Sequence, residues 1–155
     1  MERKDQIAGL ITGLSSTPAR IAQAVAGLTE TQLHTHPTEG EWSAAEVLAH
    51  LRATDDILAY RAYTILSRDN PPMPSFDERR WQVVAGYTQA DFHTSLKLFT
   101  LRRAELASML RRVAPDDWER IGTHEERGVI SLLDVITHVV EHEEEHCAQL
   151  EAIRP

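Results

Sequence analysis

Three histidines recur at four-residue intervals toward the C-terminal end of this 155-residue chain: His138, His142 and His146. Residues four apart on a helix share a face, so imidazoles at that spacing can converge on one ion. At about 100° per residue, His142 and His146 stand at roughly 40° and 80° from His138. The stripe of Leu132, Val135, Ile136, Val139, Leu150 and Ile153 centres at roughly 100°. His142 and His146 therefore face the core, and His138 sits at its edge. Two imidazoles do not complete a site, and the third candidate is His50, which falls within the apolar stripe Val47, Leu51, Ile57 and Leu58. A histidine on one helix facing a pair on another is how bundle interiors assemble metal centres. Three neutral ligands leave a position for water, which is what a catalytic zinc-type site keeps. The alternative is that all three are hydrogen-bonded core residues with no ion, and at this point both readings stand.

His142-Glu143-Glu144-Glu145-His146 also satisfies the H-E-x-x-H pattern in which the glutamate acts as general base. The nine residues after His146 are too few for the downstream ligand and supporting helix that such proteases use. Glu143 still falls beside the core face, where it could orient a ligand or relay a proton, or simply be a partly exposed acid. Glu141, Glu144 and Glu145 point away. Arg103 interrupts the apolar stripe between Phe99 and Leu106, and a buried guanidinium requires an anionic partner. That partner is either an internal carboxylate, Asp55 or Glu143, or the carboxylate of a substrate. Arg61 poses the same question farther from His50. Cys147 reads as a small buried residue, while His34, His36, His93 and His124 fall off the stripes and read as solvent-exposed.

Four long segments position these side chains. The first runs from about Arg3 to Leu28, with Pro18 kinking or restarting it. The second starts at Trp42-Ser43-Ala44-Ala45-Glu46-Val47, where Ser43 can cap, Glu46 can reach back and Trp42 can staple onto Val47. It extends to about Arg68, ahead of Asn70-Pro71-Pro72-Met73-Pro74. The third repeats the device with Thr88 as cap, Asp91 three residues on and a Tyr87/Phe92 staple. Its stripe is Phe92, Leu96, Phe99, Leu106, Leu110 and Val113, and Pro115 ends it. The fourth uses Ser131 and Asp134 and runs to the C-terminus. No two-residue alternation argues for strands. The expectation is an all-α four-helix bundle, one domain over residues 1–155, whose long connections include a crossover or loops folded over one end.

Sixteen basic against twenty-four acidic residues give a formal net charge of −8, which disfavours nucleic acid and anionic membrane as partners. A single cysteine and the lack of a signal-like or membrane-spanning run make the cytoplasm the expected compartment.

Glu41-Trp42-Ser43 through Leu48-Ala49-His50-Leu51-Arg52, the central Arg103, and His142-Glu143-x-x-His146 followed by Gln149 together resemble the DinB-like superfamily. The resemblance covers nearly the whole chain. It implies an up-down-down-up four-helix bundle, frequently a homodimer, with a zinc or nickel site carried by His50, His142 and His146. Characterised relatives include S-transferases that use the thiols bacillithiol or mycothiol, and a mycothiol-dependent maleylpyruvate isomerase. The resemblance thus implies a metal-dependent enzyme acting on a small molecule, with a low-molecular-weight thiol as cosubstrate. Arg103 would then orient an anionic group and Glu143 would support a ligand or relay a proton. The rival expectations are a metal-dependent hydrolase using Glu143 and a non-enzymatic metal-binding or dimerisation module.

Overall fold

The computed structural model describes residues 3–153. Four long helices carry it: α1 (Arg3–Ala24), α3 (Ala44–Ser67), α5 (Phe92–Leu110) and α6 (Leu132–Ala152). Two short helices, α2 (Glu30–Leu33) and α4 (Glu78–Ala85), lie in the connections. Reciprocal caps start two of the long helices as their sequences require. Ser43 Oγ accepts from Glu46 N–H while the Glu46 carboxylate accepts from Ser43 N–H at 2.9 Å. Ser131 and Asp134 do the same for α6.

Two apolar clusters fix the direction of each helix. One joins the end of α1 (Ile21, Ala24), the start of α3 (Ala44–Leu51), the start of α5 (Phe92, Phe99) and the end of α6 (Cys147, Leu150). The other joins the start of α1 (Leu14), the end of α3 (Leu58–Ile65), the end of α5 (Leu106, Leu110) and the start of α6 (Leu132–Val139). The course is therefore up-down-down-up. Helices α1 and α3 each pack between α5 and α6, so α3 and α5 are parallel neighbours. Parallel neighbours cannot be joined by a tight turn, and residues 68–91 make the return along the bundle.

Three details differ from the sequence expectation. Helix α1 runs unbroken through Pro18 and stops at Ala24, short of Leu28. The cap of α5 is Asp91, whose side chain accepts from Thr94 N–H at 2.7 Å, while Thr88 lies in a single 3₁₀ turn, Tyr87–Gln89. A small sheet accompanies the helices: β1 (Pro72–Met73) pairs parallel with β2 (Ile121–His124), which pairs antiparallel with β3 (Gly128–Ser131). Strand β1 approaches so closely that a Cβ on Gly122 would stand 2.7 Å from the Met73 methyl and 3.1 Å from the Pro71 carbonyl. Arg120 donates to the carbonyls of Ile65 and Arg68, closing the end of α3 and holding the entry to β2 beside it. No helix among the described residues is long and apolar enough to cross a membrane.

Candidate metal centre

Helix α3 presents His50 and helix α6 presents His142 and His146 to a common point, with one ligand nitrogen from each within 4.8 Å of the others. His50 is buried and the other two are half-buried. His50 Nε2 and His142 Nε2 stand 2.9 Å apart. The outer nitrogens have separate partners. His146 Nδ1 lies 2.9 Å from Gln149 Oε1, an acceptor, so the ring's proton belongs on Nδ1 and Nε2 carries the free lone pair. His50 Nδ1 lies 3.3 Å from the buried hydroxyl of Tyr87, which fixes the same tautomer when the phenolic oxygen accepts. Trp42 covers the group, its ring 4.8 Å from His50 and stacked on His146 at 6.3 Å. The stapling residue of the α3 cap is thus also a wall of the site.

Burial, then the neighbouring His146, lowers the His50 pKa to about 4. Burial, followed by His146 and His50, lowers that of His142 to about 3. Both rings are neutral at pH 7, the protonation state a metal requires. Three borderline nitrogen donors, two of them oriented from behind, fit a divalent ion such as zinc or nickel.

Glu143 and Arg103 lie elsewhere. One residue past His142, Glu143 is turned about 100° around α6, away from the imidazoles. It is 2% exposed and ion-paired with Arg103, which is 2% exposed and also ion-paired with Asp55. Asp55 binds Arg102 as well, and the Arg103 guanidinium lies over the Phe99 ring at 4.7 Å. The internal ion pair is thus the alternative the structure adopts for Arg103, and neither it nor Glu143 lines the cavity beside the imidazoles. Burial raises the Glu143 pKa, opposed first by Arg103 and then by Thr17. Cys147 is buried, its thiol pushed up to about 11 chiefly by burial, and stands outside the imidazole cluster.

A cavity of about 200 Å³ opens beside His50 and His142, between α3 and α6 and beneath the crossover. His138 lines it, with its ring 6.2 Å from that of His142. His124, expected to be exposed, is 5% exposed and lines it too. Its burial comes from the pairing of β2 with β1, which sequence periodicity did not signal. His34, His36 and His93 are exposed as expected. Arg61 and Arg127 are the arginines at the cavity, with Ser75, Phe76 and Trp81 supplied by the crossover.

An up-down-down-up bundle with a three-imidazole cluster facing a cavity defines a distinct class of helical protein. A family model for the DinB superfamily matches residues 14–150, and the chain belongs to that superfamily. Among relatives, YfiT from Bacillus subtilis is 27% identical over 151 residues, spanning 96% of this chain and 83% of YfiT. A Geobacillus thermodenitrificans protein, also named for metal-dependent hydrolysis, is 27% identical over 153 residues, spanning 98% of this chain and 86% of its own. The solved structure of YfiT, described as a probable metal-dependent hydrolase with an unusual four-helix bundle topology, matches with a TM-score of 0.90. It is 25% identical and covers 99% of this chain and 88% of YfiT. The mycothiol-dependent maleylpyruvate isomerase matches with a TM-score of 0.74 at 14% identity, over 93% of this chain and 60% of that one. That likeness is one of fold.

Proposed function

We propose that this chain is a metal-dependent enzyme in which His50, His142 and His146 hold one divalent ion, zinc or nickel, that activates a low-molecular-weight thiol for transfer to a small electrophile. The carrying observation is the convergence of three imidazoles, two of which, His50 and His142, line an open cavity and are kept neutral by burial. An ion held by three imidazoles is a Lewis acid with a position to spare, and it lowers the pKa of a thiol or water placed there. The chain's own residues keep His50 and His142 neutral by burial, fix His146 and His50 through Gln149 and Tyr87, and shield one side with Trp42.

The thiol reading draws support from where Glu143 is. The acid that H-E-x-x-H chemistry would use as base is engaged by Arg103, away from the cavity. A thiol with an ordinary pKa of about 8.5 needs only a modest shift to ionise at neutral pH, whereas bulk water starts near 15.7. The second reading is hydrolysis, favoured by the names of the relatives, with His138 as the base nearest the cluster on α6. A homodimer belongs to the proposal as well. Tyr60, Tyr63, Leu98 and Leu101 are exposed on the neighbouring helices α3 and α5, apolar surface of the kind an interface covers. Sedimentation should then give twice the 17.5 kDa chain mass.

The test is elemental analysis of untagged protein, parent and His50→Ala, followed by a screen of electrophiles with thiols and with water alone. Stoichiometric metal in the parent, its loss in the variant, and thiol-dependent turnover are expected. Unchanged metal content in His50→Ala sinks the site, and metal-dependent turnover without thiol selects hydrolysis.

A further inference from the structure

We propose that the cavity beside the imidazole cluster is built to receive a carboxylate of the reacting small molecule, held by Arg61 together with Ser75, Trp81 and His124. The inference deepens the enzymatic reading above and rests on it for the role of the molecule bound, while the donors stand independently of any ion. Arg61 Nε, Ser75 Oγ and Trp81 Nε1 are buried, and none has a hydrogen-bond partner among the described residues. All three residues line this one cavity. Buried donors are normally satisfied, so three without acceptors around one space specify an acceptor-rich occupant.

Arg61 is set apart from the other internal arginine. Arg103 has two carboxylates against it, whereas Arg61 makes one hydrogen bond, to the Pro74 carbonyl at 3.0 Å, and lies 5.8 Å from the Phe76 ring centre. No carboxylate among the described residues forms an ion pair with it. Burial and then Arg127, which also lines the cavity, act against its charge more than Glu126 supports it. An anion placed there would relieve that strain. His124 supplies a further donor. Its Nδ1 accepts from the backbone N–H of Glu126 at 3.2 Å and of Arg127 at 3.3 Å, so its proton resides on Nε2. The charge balance selects a carboxylate. The guanidiniums of Arg61 and Arg127 are offset by the carboxylates of Glu78 and Glu126, so a lining with no net charge and neutral hydroxyl, indole and imidazole donors suits a single negative charge better than a dianion.

The experiment titrates butyrate, and separately inorganic phosphate, into the full chain with and without one equivalent of zinc, by calorimetry and ligand-observed NMR. Parent, Arg61→Gln, Trp81→Phe and His142→Ala are compared. The expected result is saturable butyrate binding to the parent, weakened at least about tenfold by Arg61→Gln and about threefold by Trp81→Phe. Trp81→Phe keeps the ring and removes only the N–H, so it serves even if Arg61→Gln fails to fold. Retention of butyrate binding in His142→Ala supports the carboxylate site even where zinc binding has failed, which keeps the two readings separable. Binding that is lost in His142→Ala but equal in parent and Arg61→Gln puts the carboxylate on the ion and overturns the proposal. No saturable binding to the parent, or Arg61-dependent preference for phosphate, overturns it as well.

Discussion

Helices α3 and α6 each carry two kinds of buried polar residue, and the two kinds behave in opposite ways. Asp55 and Glu143 close on Arg103 in a layer buried from solvent, with the half-exposed Arg102 as the second cation on Asp55. His50, five residues before Asp55, and His142, the residue before Glu143, are uncharged at neutral pH and open onto a cavity. A layer of internal ion pairs holds the helices in register. A cluster whose nitrogens converge beside open space can still take a ligand, which is why the proposed chemistry is placed there.

The sharpest way to break this contrast is Arg103→Ala, which leaves Glu143 buried without its cation. It should cost about 3–5 kcal/mol in urea unfolding, as removing one partner of a buried ion pair does. A loss below about 1 kcal/mol would mean that the layer is not structural. At the histidine cluster the expected effects fall on affinity. Gln149→Ala frees the His146 ring and should weaken metal binding about 10- to 100-fold, measured against a competing chelator, with metal-free stability nearly unchanged. Equal affinity in parent and variant would remove Gln149 from the site. Next in size is Ser131→Ala, which deletes the reciprocal cap of α6 and should cost about 1 kcal/mol, read by the same urea titration. The smallest effect is a pH slope at the cavity. Burial lowers the His124 pKa below its ordinary 6.5, so the unfolded chain binds the proton first as pH falls. Its contribution to stability is complete above pH 6.5 and is lost as pH drops from there through the folded value. The melting temperature of His124→Gln should therefore fall less steeply below pH 6.5 than the parent's, and parallel curves would contradict this.

The helical half of the molecule was legible because its signals are local. Ser43 with Glu46 and Ser131 with Asp134 each lie within four residues, and the apolar stripes repeat every turn. The same periodicity placed His142 and His146 on the core face and His50 opposite them. At α5 the device misled, because Asp91 can both answer a cap at Thr88 and act as the cap itself, and the chain uses the second. The far wall of the cavity was not legible. His124 is buried only because β1, two residues long, pairs with β2 some fifty residues later, and no periodicity reports a contact of that range. Arg103 and Arg61 looked alike in sequence. The sequence offered Asp55 and Glu143 as partners for Arg103, but that both close on it, where three helices meet, is visible only in the structure.

The crossover that returns the chain from α3 to α5 gives the protein a division between fixed and replaceable parts. It is anchored at one end by the β1–β2 pairing, which seats Met73 in the core, and by the Ser75 N–H donated to Glu125, and at the other by the buried Tyr87. The entropic cost of loop closure grows only slowly with length, so residues can be gained or lost between Ser75 and Tyr87 at small cost to the bundle. The imidazoles sit on helices and would not move, whereas Ser75, Phe76 and Trp81 would be exchanged as a set. One scaffold can therefore keep its imidazoles and Tyr87 constant and trade the molecules it admits by rewriting the residues between Ser75 and Tyr87.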